Sequence, residues 1–356
     1  MKSIRPCLAA LLALAFLVNL AGCTPKPVIP LSVFAAGSLI QPFNELEKAF
    51  ETRYPYIDVL PEYHGSIQVM RHATDLHEKI DVIATADELL IPMLMYGTVD
   101  PETGSPYANW HLRFASNRMT IAYTPQSRYA AEINADHWAE ILLRPDVKVG
   151  LSDPRFDAAG YRMLMIFQLA ETQLDKPALF EDMFNGQFRF GIKTEAGESG
   201  VTVIHVPEVL ETKPGSHILM RGGSIALLAL LESGDIDYAF EYESVARQHN
   251  LQMVALPDSL NLGSPDVDYS SVMVKLDFQR FASVKPEFGG GRIGYGITIP
   301  TNAPHPREAQ LFLEFLLGEE GRALMDAMYH PLYDPVLAVG YENLPPGLQK
   351  LVEPAP

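Results

Sequence analysis

Ser32-Val33-Phe34-Ala35-Ala36-Gly37-Ser38-Leu39-Ile40 is an apolar run that halts at Gly-Ser and passes into Gln41-Pro42-Phe43-Asn44-Glu45-Leu46-Glu47-Lys48-Ala49-Phe50. Residues 31–36 suit a buried strand, whereas Leu39, Phe43, Leu46 and Phe50 recur at helical spacing, so the period changes at Gly37-Ser38. The turn therefore sits at a helix N-terminus. There the first N–H groups lack intrahelical acceptors and the macrodipole is positive, so an oxyanion can bind without a cationic side chain. Ser38 either caps this helix or adds a hydroxyl donor for a ligand.

The same design recurs outward from this stretch. Residues 57–63 read as a second strand, followed by His64-Gly65-Ser66 and a helix-like run from Ile67, and residues 80–87 as a third buried strand ending at Asp87. Strand, helix, strand in this order predicts an α/β fold with a parallel sheet under helices. The extended segment 113–123 marks the passage to a second lobe. That lobe repeats the pattern with a strand at 147–152, a turn at Asp157-Ala158-Ala159-Gly160 and a helix beyond it. Ala158, Ala159 and Gly160 leave their N–H groups unobstructed, and Asp157 either caps the helix or faces a ligand. Gly222-Gly223-Ser224 reads as a further glycine-serine helix start, and Tyr238 to Tyr242 as an apolar strand in which Tyr242 is read as a core aromatic. The predicted division is 31–115 plus 256–356 for the first lobe and 116–255 for the second.

The N-terminus carries a different message. Lys2 and Arg5 precede an apolar segment from Cys7 to Leu20 that ends in Leu20-Ala21-Gly22-Cys23. This is the layout of a secretory signal, and its end resembles a bacterial lipobox. Residues 1–23 are expected to be a signal, with Cys23 the lipid-modified N-terminus and residues 24–30 a proline-rich tether. That places the protein in the cell envelope, anchored on the extracytoplasmic side of the membrane. Cys7 and Cys23 are the only cysteines among 356 residues, so no disulfide or thiolate metal site is expected. A formal net charge of −17 argues against nucleic acid or an anionic membrane surface as partner. His64, His72 and His77 lack carboxylates at ligand spacing, so neither a metal site nor a cofactor is expected. Gly197-Glu198-Ser199-Gly200 lacks the glycine placement of a nucleophile elbow, and no P-loop or zincin helix occurs, which leaves an exported hydrolase as the alternative to a non-enzyme.

Five pieces spread over the chain carry a family resemblance: Ala36-Gly37-Ser38-Leu39, Gly65-Ser66, Asp157-Ala158-Ala159-Gly160-Tyr161-Arg162, Ile236 to Tyr242, and Tyr295-Gly296-Ile297-Thr298-Ile299-Pro300. Together they resemble the solute-binding component of a molybdate/tungstate ABC importer, of the archaeal-type tungstate-binding family. The resemblance implies a two-lobed periplasmic-binding-protein fold of type II, with tungstate or molybdate held in the interlobe cleft for an ABC permease and its ATPase. It places ligand contacts on Gly37, Ser38, Ser66, Asp157, Ala158, Ala159 and Tyr242. Many members carry a metal-ligating glutamate where this chain has Ser224. The departure favours a tetrahedral anion held by hydrogen bonds, with Ser224 among the donors, over a six-coordinate centre. Glu241 and Glu243 are read as strand or lobe-surface acids. Sulfate or phosphate is the alternative anion, and a lipid-anchored sensor the alternative role.

Overall fold

Residues 29–36 form a strand next to one edge of a seven-stranded sheet in the computed structural model, which describes residues 27–278 and 286–356. The signal 1–23, the lipidation at Cys23 and residues 24–26 of the tether lie outside the described residues. The rest of the expected tether is not all linker: Ile29 and Pro30 already pair with Ile57 and Asp58.

Strand Ile29–Ala36 runs parallel to Ile57–His64 on one side and to Val82–Thr85 on the other. Leu31 and Val33 to Ala36 are buried, as expected of a strand covered on both faces. Beyond Val82–Thr85 come Gly294–Thr298, which is antiparallel to its neighbours, and then His111–Ser116. The helix Ile40–Arg53 buries Phe43, Leu46 and Phe50, and its rings meet Phe312 and Phe315 of helix Pro306–Leu317 at 5.3 to 6.0 Å.

A five-stranded sheet repeats this arrangement. Val149–Ser152 lies parallel between Ile218–Arg221 and Tyr238–Tyr242, then come the antiparallel Met119–Tyr123 and finally Gln252–Ala255. Each sheet thus runs second, first, third, an antiparallel strand, fourth, and the first sheet continues beyond its fourth strand through Leu332–Val339 and Glu353–Pro354. The antiparallel strands are exchanged between lobes. The fourth strand of the first lobe, His111–Ser116, continues through Asn117-Arg118 into the antiparallel strand of the second, and Gln252–Ala255 leads back to Gly294–Thr298. Two chain crossings joining two similar sheets make the two-lobed periplasmic-binding-protein fold.

One stretch departs from the expected division. Val272–Asp277 and Glu287–Gly289, assigned above to the first lobe, pair instead with Thr202–Pro207 and Lys193–Ala196 in a separate four-stranded sheet. This sheet covers helix Ala158–Gln173, where Tyr161 stacks on Phe288 at 4.4 Å. The helix is apolar nearly all round because it has a sheet on either side, and its burial extends from Ala158 through Phe167.

Candidate functional site

The C-terminal ends of the parallel strands in both sheets meet across one cleft. Ala36 feeds the turn Gly37–Leu39, and Gly65 precedes helix Ser66–Thr74. From the opposite side Asp157 caps helix Ala158–Gln173, Ser224 precedes helix Ile225–Ser233, and Tyr242 ends its strand. Gly37, Ser38, Asp157, Ser224 and Tyr242 line a cavity of about 240 Å³ together with His64, Gly65 and Gln68. Ser66, Ala158 and Ala159 do not line it. Their side chains are buried behind the cavity wall.

The hydroxyls are oriented from behind. Asn117 Nδ2 donates to Tyr295 Oη at 3.3 Å, and Tyr295 Oη lies 2.7 Å from Ser38 Oγ. With Tyr295 donating to Ser38, the Ser38 proton is turned toward the cleft. Arg162 Nη1 donates to Tyr242 Oη at 2.5 Å, so the Tyr242 proton is likewise free, and burial keeps this phenol protonated well above its ordinary range. Ser66 Oγ accepts from Ala86 N–H at 3.0 Å.

The second lobe is electrically unlike the first. Asp157 bridges two helix starts, accepting from Ala159 N–H at 3.3 Å on one oxygen and from Ser224 N–H at 2.6 Å on the other. It is both cap and cleft residue. Burial raises its carboxyl above the ordinary value, opposed by these same N–H groups. Ser224 also donates its hydroxyl to Glu241 Oε1 at 3.1 Å, and that oxygen accepts from Tyr242 N–H at 2.8 Å. Burial pushes the Glu241 carboxyl up to about 8, against the Tyr242 N–H and with help from the Asp157 charge. Glu241 is therefore a buried acid of its strand beneath the site and not a surface residue, and Ser224 spends both its donors on carboxyl groups.

Two side chains that residue spacing did not single out complete the site. Arg162 is a buried cation on an otherwise apolar helix face, a placement that only a partner explains. Asp87, at the end of the third strand of the first lobe, accepts from Tyr161 Oη at 2.5 Å and lies 3.7 Å from Arg162 Nη2, which ties the two lobes together. Ile67 and Gln68 N–H groups reach Phe156 O across the same gap at 3.0 and 3.4 Å, so the lobes are closed on one another. His64 and His72 stack at 4.5 Å, and no cluster of metal-ligating side chains occurs among the described residues. No helix among the described residues is long and apolar enough to cross a membrane.

Comparison with known proteins agrees with this architecture. The family model for bacterial extracellular solute-binding proteins matches residues 31–328. A solute-binding protein of Petrotoga mobilis is 36% identical over 90% of this chain and 89% of its own, and one from Staphylothermus marinus is 36% identical over 86% and 85%. Among solved structures, the sulfate-binding protein SubI of Mycobacterium tuberculosis superposes with a TM-score of 0.55 at 13% identity, covering 86% of this chain and 88% of its own. The periplasmic molybdate-binding protein of Azotobacter vinelandii does so with a TM-score of 0.52 at 13% identity, covering 85% and 99%. At such identities the structural likeness concerns the fold alone. By the extent of the family match and the similarity of these relatives, the chain belongs to the bacterial extracellular solute-binding proteins.

Proposed function

We propose that the cleft captures tungstate or molybdate for delivery to an ABC permease and its ATPase, with the protein held to the extracytoplasmic side of the membrane through Cys23. The observation that carries this reading is the backing of Ser38 and Tyr242: Arg162 donates to the Tyr242 oxygen, and with Tyr295 donating to Ser38 both hydroxyl protons are left for the ligand. Molybdate and tungstate are fully deprotonated near neutral pH and only accept hydrogen bonds, so donors are what such a pocket needs. Asp157 does not forbid a dianion. Each helix start carries roughly half a positive charge, so the two starts it bridges offset one carboxylate to first order. The resemblance in the Gly37-Ser38, Asp157 to Arg162 and Tyr238 to Tyr242 segments points to tungstate or molybdate over sulfate. Among the described residues no hydroxyl lining the cleft bonds a histidine that could serve as its base.

Calorimetric titration with tungstate, molybdate, sulfate and phosphate tests the proposal. Tungstate and molybdate are expected to bind well ahead of the other two, and equal or tighter sulfate binding overturns the assignment. X-ray absorption of the tungstate complex is expected to show four oxygen neighbours, because Asp157 is held by two N–H groups and Ser224 replaces the second carboxylate.

A further inference from the structure

A second cavity lies at the hinge and is larger than the cleft, about 360 Å³ against about 240 Å³. Its walls come from both crossings. Arg118 follows Asn117 on the first crossing and leads into the second sheet, whereas Arg292 stands two residues before the returning strand of the first sheet. Arg247 and Glu243 come from helix Glu243–Gln248 of the second lobe. Three guanidinium groups therefore face one carboxylate, in a chain whose formal net charge is −17.

Glu243 is shared, at 3.0 Å from Arg118 Nε and 2.7 Å from Arg247 Nη2. Arg292 has no carboxylate partner among the described residues. It donates to Gly263 O at 3.2 Å, and its guanidinium lies 5.0 Å from the Tyr333 ring centroid. A surplus of two positive charges remains. Ser244, only 1% exposed, also lines the cavity, and its hydroxyl accepts from Asn117 Nδ2 at 2.8 Å while donating to no group among the described residues. A buried hydroxyl proton without an acceptor in a cavity ringed by arginines is a donor set waiting for an anion.

We propose that this hinge cavity binds a small polycarboxylate and that its occupancy is coupled to lobe closure. Guanidinium forks on separate walls match several carboxylates better than one compact oxyanion, and the volume falls within the roughly 300–1,000 Å³ of small-molecule pockets. Arg292 moves with the first lobe, and Arg118 and Arg247 move with the second, so the lobe angle sets their spacing. The crossings are tightly packed where they meet: a Cβ on Gly263 would stand 2.6 Å from Arg118 Cβ and 2.9 Å from Asn117 O. Asn117 also reaches Tyr295, and through it Ser38 in the cleft. Binding at either cavity therefore changes affinity at the other by one common factor.

The test is calorimetry on the mature chain with tricarballylate, which lacks the hydroxyl through which citrate would complex molybdate itself. One site is expected, weakened at least tenfold by Arg292→Ala, unchanged by Ser38→Ala, and weakened by added salt. No heat with the wild-type chain, equal binding by Arg292→Ala, or loss with Ser38→Ala would each overturn the site. The coupling rests on the proposed function and is read separately, as a shift in tungstate affinity under saturating tricarballylate; an unchanged affinity overturns it. Failure of tungstate to bind at all counts against the cleft reading and leaves the tricarballylate result standing.

Discussion

The two lobes share one strand order yet bring opposite chemistry to the cleft. In the first, the Gly37-Ser38 turn presents a helix start and an oriented hydroxyl, and among the described residues no group of the second lobe bonds to that turn. In the second, Asp157 already occupies the starts of helices Ala158–Gln173 and Ile225–Ser233, and the buried acid Glu241 takes the Ser224 hydroxyl. A repeated topology thus fixes where helix starts converge but not whether they are free. The first lobe keeps the donors of the Gly37-Ser38 turn open for a ligand, while the Ile67 and Gln68 N–H groups at its other helix start go to Phe156 O of the second lobe. The second supplies Tyr242, backed by Arg162, and satisfies the rest of its donors internally.

The sharpest way to break this comparison is to place a methyl group on a glycine from each side. A Cβ on Gly65 would lie 2.4 Å from Phe156 O and 3.1 Å from Asp157 Cβ, both on the facing lobe. Neither lobe is crowded internally by it, so Gly65→Ala is expected to hold the cleft open and leave the lobes folded. Overpacking of this kind costs about 1–3 kcal/mol, which is roughly 5–150-fold in anion affinity. On Gly223 the nearest contact is Asp157 Oδ2 at 3.6 Å, an ordinary van der Waals distance, so Gly223→Ala is expected to bind nearly as the wild type does. Similar losses for the two variants in a titration would show that closure does not run through the Gly65–Phe156 contact.

How much of this was legible in the chain depends on distance along it. The change of period at Gly37-Ser38 and the strand Tyr238–Tyr242 are local signals, and both were readable. The placement of Gly294–Thr298 beside Val82–Thr85, and of Val272–Asp277 beside Thr202–Pro207, is not local. Periodicity reports which faces are buried, never which strand lies next door. The site divides in the same way. Ser38 and Asp157 sit at element ends and were legible as turn residues, and Tyr242, read from its strand as a core aromatic, entered only through the family resemblance, whereas Tyr295 and Asn117, which back Ser38, are brought in from far along the chain. Arg162 was the missed opportunity, because a charged residue in an apolar run from Ala158 to Phe167 already asks for a buried partner.

A smaller effect separates the lobes by pH. Glu241 of the second lobe is raised from its ordinary 4.5 to about 8, so its neutral form belongs to the fold. Its stabilisation is complete below 4.5 and is lost as pH climbs through 8. His330 of the first lobe is lowered by burial from 6.5 to about 3, so its stabilisation is present above 6.5 and lost as pH falls toward 3. Each contributes a slope of up to about 1.4 kcal/mol per pH unit within its window. The two opposed slopes cancel between 4.5 and 6.5, so urea unfolding is expected to show Glu241→Gln flattening the falling limb between 6.5 and 8, and His330→Gln the rising limb below 4.5. If Glu241→Gln follows the wild-type slope above 6.5, the buried acid is not titrating there.

The smallest effect should come from Ser224, whose hydroxyl is spent inside its own lobe while that of Ser38 across the cleft is not. Ser38→Ala removes a hydroxyl whose proton faces the ligand, and a hydrogen bond to a charged acceptor is worth about 1.5–3 kcal/mol. Roughly a tenfold to hundredfold loss of anion affinity is expected. Ser224→Ala keeps the backbone N–H on Asp157 and removes only the hydroxyl that Glu241 accepts at 3.1 Å. Glu241 still has the Tyr242 N–H, so the affinity should change by less than about threefold, consistent with the modest net value of an internal hydrogen bond. Isothermal titration of the two variants against tungstate decides between the lobes directly. Equal losses would mean that Ser224 turns its hydroxyl from Glu241 to the anion on binding, and that the second lobe, like the first, holds its ligand through neutral donors.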